Sequence, residues 1–403
     1  MKSFLKKFGP GFLFAGAAIG VSHLVQSTRA GADFGLGLIW ALLLINFIKY
    51  PFFQFGPRYA LATGAHLLQG FAKMGKWVLL VYYIITFATM FTIQTAVTIV
   101  TAGIADSLFG TNNLVLWTVI ITGVCFLIIL IGRYKLLDQL MKYIVITLTL
   151  STLIAVFLAS QQFEGTVSFQ QVIPDSTLGI AFLIAFMGWM PAPLDLTIWQ
   201  SIWTLEKKKL NPEITLKQSF FDFNVGYGST IILGIGFVAL GTLVMFGSGE
   251  SFSGNGTHFA NQLISMYTQS LGNWAKILIG IAALTTMFST TLTTLDASPR
   301  VMHLSTELLF GKSYRNGYLS WLLVLITGTL LIFFFLDTEM KLLIQIATVL
   351  SFLTAPFYAI ASYVLLTGKH TPKEARPSQI LKIYSLLGIL LLLVFCVWYL
   401  SSL

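Results

Sequence analysis

The chain has 403 residues, of which 56% are hydrophobic, 14% aromatic and only 10% charged. A soluble domain spends about 25% of its residues on Asp, Glu, Lys and Arg, so this composition excludes a soluble globular enzyme, a disordered chain and an ordinary nucleic-acid-binding domain. The net charge of +9 has to be read from its placement along the chain.

The N-terminal Met1–Lys7 carries Lys2, Lys6 and Lys7 ahead of an apolar stretch and lacks a small-residue cleavage site, which predicts a cytoplasmic tail. A helix needs about 20 apolar residues to cross the roughly 30 Å hydrocarbon core of a bilayer. Such stretches recur near 10–31, 36–57, 77–108, 114–131, 136–159, 178–204, 219–247, 270–297, 316–336, 340–366 and 379–400. The expectation is an all-α integral membrane protein of eleven transmembrane helices. No loop is long enough for a separate soluble domain, so residues 1–403 form one transmembrane domain in the lipid bilayer.

With the N-terminus inside, only Arg29, Lys276 and Lys341 of the 24 Lys and Arg fall outside; Lys49 counts with the cytoplasmic set. This asymmetry predicts a multi-pass protein of the cell (inner or plasma) membrane, with its C-terminus outside. The basic balance thus reports topology, not a nucleic-acid partner. Cys125 and Cys396 both lie in apolar runs, as packing thiols do. Asn255-Gly256-Thr257 would lie outside and is either a glycan acceptor or a polar turn.

Spans one and six differ from the rest. Span one runs from Gly9-Pro10-Gly11 to Gly20-Val21-Ser22-His23 and then turns polar through Gln26, Ser27, Thr28 and Arg29. Span six contains Met187-Gly188-Trp189-Met190-Pro191-Ala192-Pro193-Leu194-Asp195. Its two prolines remove amide donors and clash with the preceding turn, so the helix is expected to break at 189–193. Lipid cannot satisfy the freed carbonyls, so such a break must face protein or a wet cavity. Phe12-Leu13-Phe14-Ala15 and Phe182-Leu183-Ile184-Ala185 lie 170 residues apart, which sets Gly20 opposite Met190. Five spans follow from each start, predicting inverted repeats over 10–160 and 178–366, with an extra helix at 379–400. Interrupted helices at matching places point to a transporter's midplane site.

These residues resemble the Nramp-type divalent metal-ion transporters. Gly9-Pro10-Gly11-Phe12-Leu13, ending in Ala30-Gly31-Ala32-Asp33-Phe34-Gly35, is similar to their first helix; Ile39–Leu44 through Arg58 and Ala62-Thr63-Gly64 to their second. Met190-Pro191 matches the start of their M-P-H motif, and Ser289–Thr293 leading to Val301-Met302 resembles their eighth helix. The resemblance implies an inverted five-plus-five repeat plus one helix, and metal-ion transport. The motif residues differ. The family's metal-ligating D-P-G-N is Gly20, Val21, Ser22 and His23 here, and its M-P histidine is Ala192. The alanine whose carbonyl the family uses is Met187, and its proton-linked third-helix carboxylates fall at Gln94 and Val97.

Hard divalent ions favour anionic oxygen ligands. His23 with Met187 and Met190 would instead make a softer set, with His23 and Met190 as the candidate metal ligands; packing is the competing role for the methionines, and a satisfied core position for His23. Gly20 and Ser22 complete the first-span side of the candidate substrate site. Asp195 is the only carboxylate near either break and is either a site residue or an anion at a helix N-terminus. Asp222 and Asp296 lie near cytoplasmic span ends, where they are solvated or capping. Gln26, Gln94, Thr290 and Thr291 form a candidate polar or coupling path, with back-bonding to the preceding turn as the alternative for the threonines.

The leading functional expectation is a secondary-active transporter that moves a metal cation by alternating access, without the carboxylates of classical proton coupling. A non-metal small solute bound by Arg29, His23, Gln26 and Gln94 is the second transporter reading. A membrane sensor or enzyme on the same scaffold is the third, weakened because no nucleophile–base or metal constellation stands out. No Walker-type run supports ATP use, and no cofactor is called for.

Overall fold

The computed structural model describes residues 10–131, 134–163, 165, 167–210, 212–247, 252–253, 255–272, 274–311, 314–335 and 340–403. The tail Met1–Gly9 and the side chains of Phe12 and Leu13, used above to align the two starts, lie outside the described residues.

The described residues form helices in every apolar stretch. Span one divides into α1 (Pro10–Ala18), a π-helical turn at Ser22–Ser27 and α2 (Thr28–Phe34). Then come α3 (Ile39–Thr63), the short α4 (Leu67–Met74), α5 (Lys76–Phe109), α6 (Leu114–Ile131) and α7 (Tyr134–Gln162). Span six divides into α8 (Thr177–Trp189) and α9 (Leu196–Leu210). The rest is α10 (Leu216–Val244), α11 (Gly256–Leu271), α12 (Ala275–Phe310), α13 (Gly317–Phe335), α14 (Met340–Thr367) and α15 (Gln379–Ser401). Among the described residues, 8 helical stretches are long and apolar enough to cross a membrane. The broken sixth span is not one of them, because neither α8 nor α9 crosses alone. The protein is an all-α, multi-pass membrane protein.

The outer helices explain the low charge content. Leu116, Leu127 and Leu130 on α6, Leu323, Leu331 and Phe334 on α13, and Leu387, Leu390 and Val397 on α15 are all exposed. In water such faces would drive aggregation; in a bilayer they meet hydrocarbon. The inner helices are buried all round: every residue of α8 from Ile180 to Trp189 is covered. This is the pattern expected where a broken helix must find its backbone partners within protein.

The two broken spans rest on different supports. Both pieces of span one pack along α10, α8 packs on α14 and α9 on α3, while α5 runs along α12. Without a hydrophobic driving force between helices in lipid, close backbone approach through small residues holds such pairs together. Gly188 shows this: a Cβ there would stand 2.1 Å from the carbonyl oxygen of Thr348 on α14.

At the bundle's edges, polar residues cap. The Oδ2 of buried Asp222 on α10 accepts a 2.8 Å bond from the Gly11 amide in the first turn of α1, so the capping role expected for it holds and the solvated one does not. Asp296 pairs with Arg300 at 2.7 Å and accepts from the Tyr318 hydroxyl. Asn255 of the sequon caps α11, its Oδ1 accepting from the amides of Thr257 and His258. The Thr257 hydroxyl donates to Asp106 at the end of α5.

Candidate functional site

The break in span six follows from its prolines. In a continuous helix the Met187 carbonyl would accept from the amide of residue 191, and Pro191 has none. The helix stops at Trp189, the chain runs extended through Met190, and α9 restarts after Asp195, whose carbonyl accepts from Ile198 at 2.8 Å. Helical pairing therefore leaves the carbonyls of Met187, Gly188 and Ala192 without amide partners. Span one breaks more gently. The Gly20 carbonyl accepts from both His23 (3.1 Å) and Leu24 (2.9 Å), and the following turn widens into a π-helix. Single π turns inside α-helices recur at functional sites.

Between the two breaks, α5 and α12 lies a cavity of about 40 Å³. Gly20 and Ser22 line it from span one, Asp195 from span six, and Thr290 and Thr294 from α12, with Trp189 and Trp199 among its apolar walls. Glycine is required at 20 because a Cβ would lie 2.8 Å from Thr290 Oγ1. That close approach lets the Thr290 hydroxyl donate to the Ile19 carbonyl at 3.3 Å. A buried water needs roughly 10–15 Å³ of such volume, so the cavity suits an ion with a few waters better than an organic solute.

Asp195 has unmet capacity at the cavity, as has the indole N–H of Trp199. Asp195 is 8% exposed, lines the cavity, and its Oδ1 has no hydrogen-bond partner. A buried carboxylate oxygen left unpaired is costly unless a cation or water completes it. Its place at the start of α9 also puts it in the positive field of a helix N-terminus. The hydroxyls of Tyr82 on α5 and Tyr358 on α14 are within electrostatic reach of it.

The other sequence-predicted residues have different surroundings. His23 is fully buried, with Nδ1 2.7 Å from Ser22 Oγ and Nε2 3.0 Å from the Thr230 carbonyl, and it does not line the cavity. Met187 and Met190 are fully buried in the apolar cluster that includes Phe186 and Phe352, also off the cavity. Gln94 ties α5 to α12: it donates to the Thr291 carbonyl and accepts from the Thr294 hydroxyl at 2.7 Å. Thr291 shares a 2.7 Å bond with Thr101 and back-bonds to Met287. Gln26 accepts from Arg29, whose guanidinium stacks over Phe182 at 4.8 Å. Among the described residues, no group of three or more His, Cys, Asp or Glu is placed to hold a metal ion.

The residue that sequence reasoning missed is Lys49. Counted above with the cytoplasmic set, it is instead completely buried on α3, with its ammonium at the span-six break. Its Nζ donates to the carbonyls of Met187 (2.9 Å), Gly188 (2.6 Å) and Ala192 (3.1 Å). The one available signal was its position within an apolar run, two residues before Pro51.

A cavity between two broken helices inside a multi-pass bundle is the arrangement of a secondary transporter. The chain belongs to the natural resistance-associated macrophage protein-like (Nramp) family, which it matches over residues 11–402. Members of this family are membrane transporters and not enzymes, and so is this protein. It is 36% identical over 375 residues to an uncharacterized protein of Pasteurella multocida strain Pm70, covering 91% of this chain and 86% of that one. Its fold is similar to that of a single-residue variant of the Eremococcus coleocola manganese transporter, with a TM-score of 0.76 at 15% identity, covering 100% of this chain and 87% of that one. It is also similar to the transporter MhsT, solved with L-phenylalanine, with a TM-score of 0.66 at 15% identity over 96% and 98% of the two chains. At these identities the structural likeness speaks for the fold alone.

Proposed function

We propose that this protein moves a small metal cation across the cell membrane by alternating access, with Asp195 as the anionic contact. The unpartnered, buried Asp195 oxygen facing a cavity that fits an ion and little more carries this reading. Thr290 and Ser22 supply neutral oxygens beside it. Family membership supports a metal ion as the substrate, and the Eremococcus coleocola protein of the same fold is a manganese transporter. His23 and Met190 enter only if the site rearranges, since both pack away from the cavity in this conformation. Gln94, where the family has a carboxylate, is held by neutral hydrogen bonds, which supports transport without proton release from that position.

In this reading the two repeats, 10–160 and 178–366, rock against one another around the paired breaks, and the helix at 379–400 stands outside them. The bias of Lys and Arg supports a cytoplasmic N-terminus and an external C-terminus. The test is uptake of Mn²⁺ into sealed proteoliposomes. The wild-type protein should load the vesicles, and Asp195→Asn, which keeps shape and removes the charge, should lower initial flux by about tenfold or more. Equal flux through both proteins refutes the assignment of Asp195.

A further inference from the structure

We propose that Lys49 is a tethered cation that occupies the carbonyl cage of the span-six break, excludes a metal ion from it, and confines the transported cation to the Asp195 side. The proposal rests on the cation reading above for its last clause only.

The cage has the chemistry of a cation site. Three backbone carbonyls that α8 and α9 leave unpaired converge on one point, all within 2.6–3.1 Å of Lys49 Nζ. An ammonium carries three donors and no acceptor, so three carbonyls saturate it; a neutral amine would turn its lone pair on one of them. The cage is shut: Lys49, Met187 and Ala192 are each at most 1% exposed. Gly188, the closest contact, is held by the tight crossing of α8 on α14.

This arrangement has a consequence for selection. The Met187 carbonyl, otherwise free to take a metal ion, already accepts from the Lys49 ammonium. A metal ion at that point would have to displace the ammonium or sit against it, and two cations a few ångströms apart in a low-dielectric interior repel strongly. The cavity lined by Asp195 and Thr290, to which neither Lys49 nor its three carbonyl partners contribute, remains open to an incoming cation.

The experiment is calorimetric titration of the full-length, detergent-solubilised protein with Mn²⁺, comparing wild type with Lys49→Met. Removing the charge opens the three carbonyls, so the variant should bind Mn²⁺ about tenfold tighter or better. Equal or weaker binding overturns the proposal. Because Lys49→Met also removes the clamp on the break and can cost the variant its fold, a second measurement uses the wild-type protein alone. Reductive methylation with formaldehyde, read by mass spectrometry, should modify exposed Lys73 and Lys209 and spare Lys49, with and without saturating Mn²⁺. Modification of Lys49 in either state overturns the proposal, and modification that appears only with Mn²⁺ would show the metal displacing it. If wild-type vesicles take up no Mn²⁺, the transport reading fails, while the gain in Lys49→Met and the protection of Lys49 still decide this one.

Discussion

Substituting alanine for Gly188 tests how rigidly the span-six break is built. A methyl group at this position would lie 2.1 Å from the Thr348 carbonyl oxygen and 3.3 Å from Phe352 Cβ, where ordinary contact begins near 3.4 Å. The near contact is backbone, so no rotamer change relieves it. Helices α8 and α14 must separate by about 1 Å, and the Gly188 carbonyl that holds Lys49 must move with them. Overpacking of this kind costs about 1–3 kcal/mol. Alanine recovers about 0.5–1 kcal/mol over glycine in a helix, leaving a net loss of up to about 2.5 kcal/mol. Gly123→Ala on the lipid-facing α6 is the control, because nothing lies within 4 Å of its added methyl. Thermal unfolding followed by intrinsic tryptophan fluorescence should show Gly188→Ala melting several degrees below wild type and Gly123→Ala at or above it. If the two variants melt together, the close α8–α14 crossing is not what holds the break.

Two further outcomes follow from the caps. His66 precedes α4 and accepts from the Gln69 amide through Nδ1; burial lowers its pKa to about 4. Because the folded value lies below the unfolded one of about 6.5, the unfolded chain takes up the proton first as pH falls. The stability contributed by neutral His66 is thus complete above about 6.5 and is lost progressively down to about 4. His66→Asn keeps a capping side chain without titrating, so the wild-type melting temperature should fall more steeply over that window than the variant's; parallel curves would contradict the assignment. Asp222→Ala removes the acceptor of the Gly11 amide and should cost about 1.5–3 kcal/mol, whereas Asp222→Asn should retain much of it; melting curves that rank the two in the opposite order would refute the capping role.

Much of the architecture was legible in the residues. Charge scarcity and apolar runs of about 20 residues determined a membrane bundle, because a bilayer constrains length and hydropathy more tightly than water does. Pro191 and Pro193 determined the break in span six, since a missing N–H is a local covalent fact. Asp195 stood out for the same kind of reason: a carboxylate in so apolar a segment has few bland explanations. The assignments of His23, Met187 and Met190 relied on residue type and sequence position, and neither reports which way a side chain turns within a bundle. His23 turns toward Ser22 and Thr230, a residue 207 positions away, and the methionines fill apolar space.

Lys49 marks the division most clearly. Read along the chain it is one more lysine in a count of charges. Only the packing of α3 across the broken span brings its ammonium to carbonyls 138 to 143 residues away. The sequence by itself determined that a set of carbonyls would be left without amides and that they could not face lipid. The tertiary structure decided what satisfies them, because the choice among water, a metal ion and a side chain depends on which helix comes to lie alongside.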